Sequence, residues 1–157
     1  VKKLNPEKGV AVFTDGSCNY KDGSGGWAWV AIDSDGTMET DSGYLSDATN
    51  NRMELHAPTM ALTYLHEEYD SCDVLIYSDS QYVVLGCNDK TRSRKKNPKW
   101  WKRLDSAITL HNYVEWNHVK GHSTSFYNGL ADKLAGEARK EGLSVSDNHK
   151  QQHKLEG

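Results

Sequence analysis

Four acids in this chain stand where an acid is costly to keep without a partner. Asp15 follows the apolar run Val10-Ala11-Val12-Phe13-Thr14, and Asp79 follows Val74-Leu75-Ile76-Tyr77-Ser78. Glu54 falls in the first turn of a helical pattern between those runs. Asp132 falls in the opening turns of the last helical pattern, with Ala135 at core spacing behind it. In the first run Val10, Val12 and Thr14 share one face of a strand, and Ala11, Phe13 and Asp15 the other. Apolar groups on both faces predict a central strand. If the second run is its parallel neighbour, both acids emerge at one sheet edge, where open α/β sheets bind ligands. Four carboxylates gathered there repel unless divalent cations neutralise them. Oxygen donors with room for water favour Mg²⁺ or Mn²⁺ over zinc. Taken singly, each acid also suits a turn, a helix cap or a positive helix end. Only their joint placement argues for chemistry, and spacing does not name a substrate.

The positioning elements follow from the pattern. Residues 1–9 are polar and expected to be loosely held. The first strand runs into a glycine turn at Asp15-Gly16, and Asn19 to Gly26 is a turn-rich loop. Trp27 to Ile32 reads as a second strand, and Ser34-Asp35-Gly36 turns it into a third, about Thr37 to Leu45. A helix opens near Thr49, with Asn51 as N-cap and Glu54 as its capping-box partner. Pro58 is expected to kink it or loosen its first turn. Val74 to Tyr77 returns as a strand parallel to the first, through a helical crossover. Gln81 to Leu85 starts a short helix. Trp100 to His111 forms another, with Trp101, Leu104, Ile108 and His111 along one stripe. Tyr113 to Val119 is a fifth strand. Asn128 to Lys140 is the last helix, with Leu130, Leu134 and Ala138 inward. The expected class is α/β, its first three strands an antiparallel meander and its fourth parallel to the first. Residues 1–143 form a single domain, and the polar tail 144–157 is expected to be disordered.

Composition bounds the function. At 157 residues the chain can bury a core without disulfides. Three cysteines, Cys18, Cys72 and Cys87, with no C-x-x-C spacing argue against a disulfide framework or zinc knuckle. No apolar run approaches spanning length. The expectation is a soluble, cytoplasmic chain acting as a monomer, with no membrane partner. The net charge of −3 argues against general polyanion affinity, but residues 90–103 hold eight Lys or Arg and no acid. Local charge therefore matters more than the mean.

Thr14-Asp15-Gly16-Ser17-Cys18, Thr49-Asn50-Asn51-Arg52-Met53-Glu54-Leu55, Ser78-Asp79-Ser80-Gln81-Tyr82-Val83 and Val119-Lys120-Gly121-His122 occur in that order. These blocks, with Asp132 ten residues after His122, resemble the signature blocks of cellular type 1 ribonuclease H over about residues 9–141. The resemblance implies a ribonuclease H-like fold, a five-stranded mixed sheet with antiparallel first three strands and helices on both faces, and Mg²⁺-dependent cleavage of the RNA strand of an RNA–DNA hybrid, leaving 5′-phosphate and 3′-hydroxyl ends. It implies two ions, with Mn²⁺ an acceptable substitute, roughly 4 Å apart. Asp15 would bridge them, Asp132 would complete one, and Glu54 with Asp79 the other. His122 corresponds to a mobile proton carrier that assists product release. Alternatives on the same fold are a DNA-directed nuclease and a non-catalytic hybrid-binding module.

The same resemblance assigns substrate contacts. Asn50, Gln81 and backbone groups near Ser17 and Cys18 match positions that read the 2′-hydroxyl-lined minor groove. Asn50 and Asn51 also suit plain capping. Thr49 matches a residue that holds a DNA phosphate. Arg92, Arg94, Lys95, Lys96 and Lys99 are expected to meet phosphates and make affinity salt-dependent, against the bland reading of a solvated charged loop. Two departures stand out. Gly86-Cys87-Asn88-Asp89 replaces the tryptophan-bearing start of the family's longer basic protrusion, leaving Trp100 as the candidate substitute because Trp101 matches a core position. Lys21 replaces a frequent asparagine.

Overall fold

The computed structural model describes residues 2–89, 94–120 and 125–156, with side chains to residue 145. The first strand is longer than its apolar run. β1 spans Val10–Asn19 and pairs antiparallel with β2, Ser24–Asp33, through every residue of both. Asp15-Gly16 is therefore extended strand, and the turn expected there lies beyond Asn19. Short-range signals suggested the turn, but a full cross-strand ladder satisfies the backbone better than a local bend. β3, Met38–Leu45, adds antiparallel to β2. β4, Asp73–Ser78, lies parallel to β1 on its other side, and β5, Tyr113–His118, parallel to β4. The sheet order is β3-β2-β1-β4-β5, the mixed architecture expected from the sequence.

One face is covered by α1, Asn50–Tyr69, with α2, Gln81–Asn88, and α3, Pro98–Ile108, beside it. Val10, Val12, Trp27, Trp29, Met53, Leu55, Leu62, Trp101 and Leu104 form the core there. α4, Phe126–Glu156, packs on the opposite face across β1, β2 and β3. Among the described residues, no helix is long and apolar enough to cross a membrane.

Several boundaries differ from expectation for identifiable reasons. Thr49, not Asn51, caps α1, its Oγ1 accepting the Arg52 N–H at 3.2 Å. The helix runs unbroken through Pro58, which is buried against the core. Packing of the surrounding residues outweighs the single backbone bond that proline removes. α3 starts two residues earlier than expected, at Pro98, and ends before His111. α4 buries Asn128, Ala131 and Ala135, whereas Leu130, Leu134 and Ala138 are only half-buried. It also continues past Lys140 to Glu156, through the segment expected to be disordered. Gly142 explains part of that extension: the side-chain position it leaves empty is filled by the Tyr44 ring of β3.

Candidate active site

Thr14 of β1 and Ser78 of β4 are register partners, so Asp15 and Asp79 lie next to each other at the carboxyl end of the parallel pair. Glu54 reaches them from α1 because Gly16 lets the helix come close. A Cβ on Gly16 would lie 2.6 Å from the Glu54 nitrogen and from the Met53 carbonyl carbon. The Gly16 N–H donates to Glu54 Oε1 at 3.0 Å, which aims the carboxylate toward β1. Carboxylate oxygens of Asp15, Glu54 and Asp79 lie within 4.8 Å of one another. Asp132, on α4, lines the same cleft from the other face. Beneath the acids, Phe13 stacks between Tyr77 at 4.9 Å and Tyr127 at 5.4 Å. That stack ties β1, β4 and the start of α4 together two to five residues from the acids they carry.

The cluster is electrostatically uncomfortable. Burial, then the charge of Glu54 and the neighbouring Asp132 and Asp79, pushes the Asp15 carboxyl up to about 10. Burial and the charge of Asp79 push Glu54 up to about 8, despite the Gly16 N–H that favours its ionised form. Burial also raises Asp79. Neither ion pair among the described residues, Arg94–Asp105 or Lys133–Glu137, supplies a cation here. Glu54 Oε2 is buried with no hydrogen-bond partner. A buried, unpaired carboxylate oxygen facing two more carboxylates is what a divalent cation would satisfy. The donors are all oxygen, as hard cations prefer. The residues fit a metal.

The acids line a cleft of about 410 Å³ with Gly16, Asn50, Asn51, Ser80, Gln81 and Tyr82. Asn50, Asn51 and Gln81 are exposed beside the carboxylates. Ser17 is half-buried in β1, opposite Gly26. Cys18 Sγ donates to the Ala48 carbonyl at 3.3 Å. Thr49 is occupied as a cap, although half-exposed. Ser80 and Tyr82 were not singled out from the sequence. Ser80 caps α2, its Oγ accepting the Val83 N–H at 3.3 Å. The Tyr82 hydroxyl accepts from Trp101 Nε1 at 2.9 Å and donates to the Lys96 carbonyl at 3.2 Å. The alternation Ser-Asp-Ser could have suggested the serine cap; nothing local signals the tyrosine's reach to α3.

Arg94 corrects the sequence reading. It is expected to hold phosphate, but Nη1 pairs with Asp105 at 2.6 Å and Nε donates to the Gly86 carbonyl at 3.0 Å. Its guanidinium lies 4.2 Å from the Trp101 ring centroid, and only 15% of the side chain is exposed. Asp105 is eleven residues away, brought close by α3. Lys95, Lys96 and Lys99 remain exposed. Trp100 is half-buried, edge-on to His56 at 5.5 Å and beneath Arg103. His122 and Arg92 lie outside the described residues.

Mutually repelling oxygen donors in one cleft, carried by a β3-β2-β1-β4-β5 sheet, are the arrangement of the ribonuclease H-like class of metal-dependent enzymes. The chain's relatives narrow the class to a family. The ribonuclease H family model matches residues 7–140. The ribonuclease H of Acetivibrio thermocellus is 40% identical over 141 residues, covering 82% of this chain and 92% of its own. That of Prosthecochloris aestuarii is 42% identical over 146 residues, covering 85% and 97%. The crystal structure of LC11-RNase H1, isolated from compost and bound to an RNA/DNA hybrid, shares the fold with a TM-score of 0.73. It is 22% identical and covers 85% of this chain and 99% of its own. The chain belongs to the ribonuclease H family.

Proposed function

We infer that this chain is an endonuclease hydrolysing the RNA strand of RNA–DNA hybrids in the cleft of Asp15, Glu54, Asp79 and Asp132. The observation that carries the reading is the convergence of three carboxylates within 4.8 Å, with Glu54 Oε2 buried and unpartnered, in a ribonuclease H chain. The hybrid bound in the LC11-RNase H1 structure supports the choice of substrate.

Asp15 shares one cleft with Glu54, Asp79 and Asp132 and feels the charge or proximity of each, so it can serve both halves of the cluster. Glu54 and Asp79 with Asp15 would hold one cation, and Asp132 with Asp15 a second. Mg²⁺, suited to carboxylate ligands with open positions for water, supplies the Lewis acidity that phosphodiester hydrolysis needs when bound. The net reaction consumes one water: an O–P bond forms, the P–O3′ bond breaks, and the 3′-oxygen ends protonated beside a 5′-phosphate. Gly16 holds Glu54 in place through its N–H. Asn50, Asn51 and Gln81 offer amide donors and acceptors along the same cleft, suited to 2′-hydroxyls and base edges in a minor groove. Lys95, Lys96 and Lys99 supply exposed positive charge for phosphates. His122 is assigned to product release on the sequence motif alone.

Action as a monomer is proposed, because Asp15, Glu54, Asp79 and Asp132 line one cleft without a residue from a second copy being required. Three free thiols fit a reducing compartment, and a cytoplasmic location is proposed on that ground. A labelled duplex series tests substrate choice. Only cleavage that requires consecutive ribonucleotides opposite DNA fits the reading; cutting of all-DNA duplexes would transfer it to a DNA nuclease.

A further inference from the structure

Tyr20, at the turn between β1 and β2, is 72% exposed. An exposed turn tyrosine ordinarily keeps its hydroxyl in water. Here the hydroxyl oxygen accepts the backbone N–H of Asn50 at 3.2 Å. Asn50 is the first residue of α1, and its N–H is one of those that a helix start leaves without an intrahelical partner. Two more bonds cross the same gap. The Ala48 N–H donates to the Gly23 carbonyl at 2.9 Å, and Cys18 Sγ donates to the Ala48 carbonyl at 3.3 Å. The end of β1 and the turn after it are thus held to the segment entering α1 at three points, and the one on α1 itself is a single hydroxyl. Asn50 itself lines the carboxylate cleft.

We propose that Tyr20 is a substrate-positioning residue: by holding the Asn50 N–H it fixes the Asn50 amide against the hybrid. The proposal rests on the hybrid-cleaving function above. Glu54 is held independently, by the Gly16 N–H, so loosening the Tyr20 latch leaves the carboxylates in place. The effect falls on substrate grip and not on the chemical step.

The test is steady-state cleavage of a defined hybrid in Mg²⁺ by the wild type, Tyr20→Phe, Asn50→Ala and the double variant. Tyr20→Phe is expected to raise KM about 2- to 10-fold, the range one hydrogen bond supports. The expected kcat stays within about twofold and the thermal midpoint is unchanged. In the Asn50→Ala background the same substitution is expected to leave KM nearly unchanged, because no amide remains to be positioned. An unchanged KM in Tyr20→Phe overturns the proposal, as does an equal rise in KM in the Asn50→Ala background. A lowered thermal midpoint with a matching loss of kcat overturns it too, by making the contact merely structural. An inactive wild type would contradict the functional reading instead. Hybrid dissociation constants measured in EDTA for the same four proteins would then decide on Tyr20 by the same comparison.

Discussion

Asp15 carries most of the burden at the scale of single residues. It is buried, faces three other acids and has no cation among the described side chains. Its removal should therefore split activity from stability. Asp15→Asn is expected to lower hybrid cleavage by at least about a thousandfold, the scale of losing a group central to charge stabilisation. In EDTA the same variant is expected to be more stable than the wild type by about 1 kcal/mol or more, since one unit of pKa displacement is worth about 1.4 kcal/mol. Chemical denaturation with and without EDTA measures this; a destabilised, metal-independent variant would contradict it. The pH dependence has a definite sign. Asp15 and Glu54 are raised in the folded state, so their contribution is fully present below the ordinary carboxylate range. It is lost as pH rises through about 8 for Glu54 and about 10 for Asp15. Metal-free protein should lose stability over that rise, and saturating Mg²⁺ should flatten the slope. A thermal midpoint that is flat with pH in EDTA would refute the crowding of these acids.

The elements show which parts of the site could be read in advance. The acids were legible because Asp15 and Asp79 follow short apolar runs and Glu54 and Asp132 lie near the starts of helical patterns, all written locally in the chain. Gly16 was not legible in its true role. Beside Asp15 it reads as a turn, whereas its function is to admit the backbone of α1, which only tertiary packing reveals. Gly16→Ala is expected to cost about 1–3 kcal/mol by overpacking and to displace Glu54, lowering kcat. Normal kcat in that variant would show that α1 can retreat without moving its acid. Glu54 illustrates the same limit: its spacing from Asn51 suggested a capping box, but the carboxylate is recruited by Gly16 and Thr49 takes the cap. Arg94 misled because a basic run looks solvent-facing until α3 supplies Asp105 and Trp101. Arg94→Ala is expected to cost about 1–2 kcal/mol of stability and leave the salt slope of hybrid binding unchanged. Replacing Lys95 and Lys96 together should lower that slope by roughly one per lysine. The reverse pattern would restore Arg94 as a phosphate ligand.

For the whole molecule, the order of strands decides function more than any one of them. Two parallel strands side by side at the centre bring Asp15 and Asp79 together, and helices on opposite faces then deliver Glu54 and Asp132. The parallel direction of β4 could be anticipated from the helical crossover before it, whereas the helices on both faces were expected only from the family resemblance. The length of α4 could not be anticipated, because the close fit of Gly142 to Tyr44 is a contact between distant segments. These acids together are proposed to form a metal-dependent site for cutting RNA paired with DNA. The most direct test of that role is cleavage of one end-labelled hybrid by the wild type, with Mg²⁺ and with EDTA. RNA-strand products bearing 5′-phosphate and 3′-hydroxyl ends are expected in Mg²⁺ and none in EDTA. Undiminished cleavage in EDTA, or none with either Mg²⁺ or Mn²⁺, would contradict it.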